Sequence, residues 1–152
     1  GHLKGSSTQK IRISNLTTTP GWTASIAETS GNTELWRNVG DTEQYDFNDS
    51  SWTPNGCSDG PDSDSKAGQL TINPSAGTNT AETGCSTANV SLGANTALSQ
   101  GATDSVTLAS ANSSADNDCI WDLTNLNLSQ YIPAEQPIGS YDINLTITII
   151  AN

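Results

Sequence analysis

Apolar and polar residues alternate along two segments in the last third of the chain. The segments read Trp121-Asp122-Leu123-Thr124-Asn125-Leu126-Asn127-Leu128 and Tyr141-Asp142-Ile143-Asn144-Leu145-Thr146-Ile147-Thr148-Ile149-Ile150. A period of two is typical of a β-strand with one buried face, because successive side chains point to opposite sides of the strand. We therefore expect both segments to be strands. The first has a break in register near Asn125, and the apolar face of the second is predicted to be shielded in the interior.

Shorter alternating runs recur upstream, and turn-forming residues separate them. They cover residues 9–16, 22–27, 69–73, 89–93 and 104–109. No segment has an apolar stripe of helical period and useful length. The sequence therefore predicts an all-β fold, a single antiparallel β-sandwich of Ig-like or Greek-key type. It would have about seven or eight short strands and long polar loops.

Length and charge restrict the class of protein. The chain has 152 residues, enough for one domain, which we place at residues 9–152 after a tail or cloning remnant at 1–8. Five basic residues stand against sixteen acidic ones, for a net charge of -11, which argues against nucleic acid as a partner. No apolar run approaches the roughly 20 residues that a membrane-spanning helix needs, so no membrane insertion is predicted.

The three cysteines are Cys57, Cys85 and Cys119, which are too widely spaced for a zinc knuckle. Two interpretations stay open: one disulfide with one free thiol, or three free thiols. The spacing does not decide which cysteines would pair. The acidic composition, rich in Ser, Thr and Asn, favours an extracellular protein.

The aromatic residues divide into two groups. Trp22 and Trp121 fall at apolar positions of predicted strands, so we expect them in the core. Trp36, Tyr45 and Trp52 lie between polar turns and are the candidates for an exposed ligand-binding surface, since indole rings can stack on sugar rings.

Catalysis is not predicted. The only histidine is His2, in the predicted tail, so a catalytic triad or a histidine acid–base scheme is excluded. Asp and Glu residues are numerous, but no pair is recognisable as a catalytic dyad. We interpret them as solvated surface acids, and the chain is predicted not to be an enzyme.

An oxygen-rich loop offers a candidate metal site at Asp59, Asp62 and Asp64. Calcium takes six to eight oxygen ligands. The loop lacks the glycine and the closing glutamate of an EF-hand at the required positions. No cofactor is therefore predicted, with a bound calcium ion kept as the alternative.

Two parts of the sequence resemble the WxL domain of Gram-positive surface proteins. That family has a proximal Trp-x-Leu and a distal Tyr-x-x-x-Leu-Thr-Trp-x-Leu near the C-terminus. The matching positions in this chain are Trp22, Tyr141, Leu145 and Thr146. Ala24, Ile147 and Ile149 stand where the family has Leu, Trp and Leu.

The resemblance implies a non-catalytic adhesion domain at the cell surface. Such a domain would attach a surface protein non-covalently to cell-wall peptidoglycan, or another glycan, and associate with other surface proteins. Two alternatives from other classes stay open. One is a pilin-like structural subunit of a surface fibre, completed by a strand from a neighbour. The other is a calcium-dependent carbohydrate-binding module.

Overall fold

The computed structural model describes residues 9–49 and 66–152, together with the backbone of two short strands at 51–53 and 56–58. The predicted tail at 1–8 lies outside the described residues, as does the acidic loop with Asp59, Asp62 and Asp64.

Short antiparallel strands account for nearly all the regular structure of the described residues. They are β1 (Ile11–Asn15), β2 (Trp22–Glu28), β3 (Trp36–Asn38), β4 (Gln44–Tyr45), β5 (Ser51–Thr53), β6 (Gly56–Ser58), β7 (Gln69–Asn73), β8 (Thr78–Ala81), β9 (Val90–Leu92), β10 (Thr96–Ala97), β11 (Val106–Ala111), β12 (Cys119–Thr124), β13 (Asn127–Tyr131), β14 (Tyr141–Asp142) and β15 (Leu145–Ala151). One 3-10 turn at Pro74–Ala76 connects β7 to β8. No helix in the described ranges is long and apolar enough to cross a bilayer.

One layer of the fold is a four-stranded sheet in the order β15-β2-β11-β9. Along β2 every second residue is buried, beginning with Trp22, Ala24 and Ile26. The pairing of β11 with β2 shifts register between Thr107 and Ala109, and the alternation of β11 changes at the same place. This layer therefore presents a continuous apolar face on one side.

The facing layer is built on a long two-stranded ribbon. Residues 69–81 run antiparallel to residues 119–131, because β7 pairs with β13 and β8 pairs with β12. Both strands are interrupted at the same level, one by the 3-10 turn and the other by Asn125, whose φ is 58°. β1 extends the ribbon at β12, and β10 extends it at β7.

A single apolar cluster fills the space between the layers. At its centre the rings of Trp22 in β2 and Trp121 in β12 lie 5.5 Å apart between centroids, at an interplanar angle of 50°. Leu123 and Leu126, also from the ribbon, are fully buried beside them. The two layers around one shared core confirm the predicted all-β sandwich.

The last strand of the chain differs from its prediction. Residues 145–151 do form a strand, but β15 lies at the edge of its sheet and pairs only with β2 among the described strands. Ile147, Ile149 and Ile150 remain 39%, 49% and 58% exposed. The prediction that this apolar face is shielded is wrong, because β15 is an edge strand with a described neighbour on one side only.

Two regions contain strands that the apolar pattern did not indicate. β8 consists of Thr78–Ala81, which has no large apolar residue, and its partner β12 supplies the hydrogen bonds. β3 and β4 form a hairpin, and with β14 they make a small sheet in the order β14-β3-β4. This small sheet positions the aromatic residues described next.

Candidate functional site

The hairpin of β3 and β4 is held by its own loop. The side-chain oxygen of Asn38 accepts hydrogen bonds from the backbone N–H groups of Thr42 and Glu43, at 2.9 and 3.0 Å. Gly40 and Asp41 have positive φ values of 98° and 56°, and the short loop needs both. The loop therefore fixes the register that places Trp36 opposite Tyr45.

Three aromatic rings meet on one side of this small sheet. Trp36 and Tyr45 are stacked, with centroids 5.9 Å apart and planes inclined by 15°. Tyr141 of β14 meets Tyr45 edge-on, at 5.1 Å and 62°. Both geometries are favourable for aromatic pairs, because the positive edge or offset face of one ring meets the negative face of another. Trp36 and Tyr141 thus each contact Tyr45, and we call the three rings the aromatic cluster.

Gln130 fixes the orientation of the indole in this cluster. The Nε1 of Trp36 donates to Oε1 of Gln130 at 3.0 Å. The amide nitrogen of Gln130 donates in turn to the carbonyl oxygens of Asp46 and Tyr131, at 3.1 and 2.8 Å. Since the amide is held at both ends, the ring of Trp36 cannot turn without breaking a hydrogen bond. Trp36 is half-buried and packs against the edge of the core.

The two tyrosines have different roles in the cluster. Tyr45 is buried, and this burial, with a smaller contribution from Tyr141, raises the pKa of its hydroxyl to about 12. The hydroxyl of Tyr141 donates to the carbonyl of Pro137 at 3.0 Å and accepts from the side-chain amide of Gln136 at 2.8 Å. Tyr45 therefore supports the ring of Trp36 from behind, and Tyr141 anchors the cluster to the 133–140 segment.

The opposite face of the hairpin carries an ion pair, because Arg37 and Gln44 form the pair next to Trp36 and Tyr45 and their side chains point the other way. Arg37 Nη1 lies 2.7 Å from Asp41 Oδ1, and Gln44 donates to the same oxygen at 2.7 Å. These hydrogen bonds, that of Arg37 first, lower the pKa of the Asp41 carboxyl. The aromatic face is therefore separate from this ion pair, and the partly exposed ring of Trp36 suits a neutral ligand with an apolar face, such as a sugar ring.

The structure brings together only part of the predicted ligand-binding set. Trp36 and Tyr45 are in contact, but Tyr45 is buried and cannot present its own face to a ligand. Trp52 lies in β5, and its side chain is outside the described residues. Trp36 is thus the one member of the set whose exposed surface the structure describes.

Four residues were predicted to belong to the WxL-like motif or to the core, and the structure places them in different environments. Trp22 and Trp121 are buried at the centre of the sandwich. Tyr141 belongs to the aromatic cluster, and Leu145, the first residue of β15, is half-buried opposite Glu28.

A disulfide joins Cys85 to Cys119, 34 residues apart in sequence. It ties the loop after β8 to the first residue of β12. Cys57 lies in β6, and its side chain is outside the described residues.

Two buried acidic residues, Asp46 and Asp49, serve the fold. Asp46 accepts the backbone N–H of Phe47 at 2.6 Å, and Asp49 accepts that of Gly68 at 3.1 Å. Gly68 has a φ of 151°, and a Cβ there would collide with the carbonyl of Asp46, so the site requires glycine. Within residues 9–49 and 66–152 no group of three His, Cys, Asp or Glu side chains is arranged to hold a metal ion. The calcium candidates Asp59, Asp62 and Asp64 lie outside those ranges.

Sequence reasoning did not find Gln130. It is a polar residue in an alternating strand, and its role depends on the contact with Trp36, 94 positions away. Only the pairing of β13 with β7, which brings Gln130 beside the 46–49 segment, makes that contact possible.

Comparisons with protein-family models, with curated proteins and with solved structures found no match for this chain.

Proposed function

We propose that this chain is a non-catalytic extracellular attachment domain that binds cell-wall peptidoglycan, or another glycan, through the aromatic cluster. The WxL resemblance leads to the same proposal, with association to other surface proteins as the second part of the role. The attachment would be non-covalent and would need no metal ion or cofactor.

One observation carries the proposal: Trp36 is a partly exposed indole held in a single orientation. Its N–H is bound by Gln130 and its ring rests on Tyr45, so little conformational entropy remains to be lost when a ligand binds. A preoriented aromatic face can bind the apolar face of a sugar ring.

Two further features support an extracellular, non-catalytic role. The Cys85–Cys119 disulfide is of a kind that persists in oxidising compartments and is rare in the cytosol. The sequence has one histidine, His2, and the buried carboxylates of Asp46 and Asp49 hold backbone N–H groups.

The test is retention of the purified domain on insoluble peptidoglycan, measured as the bound fraction. Trp36→Ala is expected to weaken binding about tenfold, which corresponds to about 1.4 kcal/mol. Trp36→Phe keeps an aromatic face and should retain most of the affinity. Val39→Ala is the matched control, since it removes an 86% exposed apolar side chain of the same hairpin without touching the cluster.

Trp52→Ala is tested in parallel because the sequence predicts the same role for Trp52. Unchanged retention of both alanine variants, with folding verified by thermal unfolding, would refute the proposed aromatic platform. Retention that disappears with a chelator would instead favour the calcium-dependent carbohydrate-binding module.

A second candidate function is favoured by a separate observation. The exposed edge of β15 has the form expected of a fibre subunit that receives a strand from its neighbour. Open-ended polymers that lengthen with protein concentration, seen by electron microscopy, would support this candidate over attachment alone.

A further inference from the structure

The outer edge of β15 carries backbone groups that no described strand uses. The N–H of Thr29 donates to the carbonyl of Asn144, and the N–H of Asn152 donates to the carbonyl of Gly21, so even-numbered residues point their backbone groups toward β2. In an antiparallel strand the intervening residues point theirs the other way. The N–H and C=O groups of the following residues therefore face outward: Leu145, Ile147, Ile149 and Ala151.

The same odd-numbered residues carry the inward-facing side chains of the strand. Ile147 and Ile149 pair with Ile26 and Ala24, which are buried, and so lie on the core side of the sheet. They nevertheless remain 39% and 49% exposed. One more strand beside β15 would cover these side chains and satisfy the open backbone groups together.

β15 also lacks the residues that usually prevent an exposed edge strand from pairing with another chain. It has seven residues, with no charged side chain, proline or glycine. β1, an edge strand of the facing layer, carries the exposed Arg12, and Lys10 immediately precedes the strand. Charged residues on an edge strand oppose pairing with another chain. The edge at β1 is thus protected by charge, whereas the longest edge strand described, β15, is not.

We propose that β15 pairs with β15 of a second copy of this chain, antiparallel about a two-fold axis at Thr148. This register places Ile147 opposite Ile149 of the other copy and Leu145 opposite Ala151. It is the register in which every outward-facing residue of both strands is paired, and a shift by two positions in either direction leaves some unpaired. The two four-stranded sheets then form one continuous sheet.

The side chains of β15 suit an identical partner and provide no charge that would attract a basic one. The strand is uncharged, so it offers no specific attraction to a cationic segment, and its alternating Thr and Ile side chains are complementary to themselves. The net charge of -11 on each copy opposes association at long range. Dimerisation is therefore expected to strengthen with added salt, whereas binding of a basic partner would weaken.

Cysteine cross-linking tests the register directly. In the proposed dimer Thr148 faces its own copy in a non-hydrogen-bonded pair, with Cα atoms about 4.5 Å apart, within the range of a disulfide. Thr148→Cys on a Cys57→Ser background should give a disulfide-linked dimer under mild oxidation. Thr146→Cys, on the same strand and face, is the matched control, since its two copies would lie four residues apart, about 13 Å.

Sedimentation over the micromolar to millimolar range gives the second measurement. The unmodified chain should show a monomer–dimer equilibrium. Ile149→Pro removes an outward N–H, leaves pairing with β2 intact, and should weaken dimerisation at least about tenfold. Ile150→Lys, on the outer face, should change it much less. A monomer throughout the range, polymers in place of dimers, or equal cross-linking of the two cysteine variants would each overturn the proposal.

Discussion

β12 and β15 have nearly the same sequence pattern and opposite environments. Both alternate apolar with polar residues, and both pair antiparallel with a strand from the start of the chain, β12 with β1 and β15 with β2. In β12 the inward residues Trp121 and Leu123 are completely buried. In β15 the inward residues Ile147 and Ile149 keep two-fifths to one-half of their surface.

The difference in burial comes from the number of strands that flank β12 and β15. β12 has a strand on each side, β1 and β8, and faces the opposite sheet. β15 has a described strand on one side only. An alternating pattern thus specifies which face of a strand is apolar, and the number of flanking strands decides how far that face is covered. The predictions below test this contrast, from the largest expected effect to the smallest.

Removal of the Cys85–Cys119 disulfide should have the largest effect, because it anchors the start of β12. Closing a loop of this length stabilises a folded chain by about 4 kcal/mol through the entropy of the unfolded state. The double variant Cys85→Ala/Cys119→Ala should lose about this much in urea unfolding. A loss below about 1 kcal/mol would mean that β12 is held by packing alone.

Truncation of matched aliphatic residues compares the two strands directly. Leu123→Ala in β12 should lower the free energy of unfolding by about 3 kcal/mol, because it leaves a cavity in a fully packed core. Ile149→Ala in β15 should cost less than about 1 kcal/mol, since half of that side chain is already exposed.

Both variants are measured by urea unfolding at a protein concentration where the chain is monomeric. Similar costs for the two substitutions would contradict the contrast. They would show that β15 is covered in solution.

The outer face of β12 has a pH-dependent contribution that β15 lacks. Hydrogen bonds from Arg12 and then Lys10, at 2.8 and 2.6 Å, lower the pKa of Asp122 to about 2 from 3.8. The unfolded chain therefore binds the proton first, and this stabilisation is present above about pH 4 and lost as the pH falls toward 2. Because Arg12 is half-exposed, solvent screening limits the effect to about 1 kcal/mol.

Asp122→Asn should cost about 1 kcal/mol at pH 7, and the cost should disappear near pH 2 in urea unfolding. Asp118→Asn is the control, because Asp118 is exposed just before the same strand. A cost for Asp122→Asn that stays constant from pH 7 to pH 2 would exclude the ion pair as its cause.

The smallest effect is expected beside β15. Glu28 of β2 is buried opposite Leu145, and burial, followed by the charges of Asp104 and Glu34, raises the pKa of its carboxyl. A raised pKa means that this group destabilises the fold as the pH rises above its ordinary value of 4.5. Glu28→Gln should therefore stabilise the protein at pH 7 by less than about 1 kcal/mol.

That gain should vanish below about pH 4, where Glu28 is protonated in both states. Glu135→Gln, at an exposed position, should show no gain at either pH. Destabilisation by Glu28→Gln at pH 7 would indicate that the carboxylate has a favourable partner in the folded state.

Much of the fold could be predicted from alternation alone. The strands containing Ile11, Trp22, Leu70, Val106 and Trp121 all follow an apolar period of two, and the register break at Asn125 coincides with a positive φ. β8 could not be found this way, because Thr78–Ala81 is defined by its hydrogen bonds to β12 and has no apolar face. Exposure of β15 was missed because strand order cannot be derived from local sequence.

The candidate site was predicted less completely. Trp36 and Tyr45 were found as aromatic residues between turns, and the hairpin explains their contact. The burial of Tyr45 depends on Tyr141, which is 96 positions away and arrives with β14. Gln130 gave no signal at all, since a glutamine on a strand has the same local pattern whether it holds an indole or faces solvent.

The ribbon of residues 69–81 and 119–131 belongs to two sheets at once, so local unfolding of one sheet involves the other. Leu126 is fully buried at the level where both strands are interrupted, and a Cβ on Gly77 would collide with it, so the two halves of the ribbon share one tightly packed joint. Neither half can separate without disturbing the other. Slow amide protons in both halves should therefore exchange together, as one cooperative unit, whereas those of β15 should exchange ahead of them.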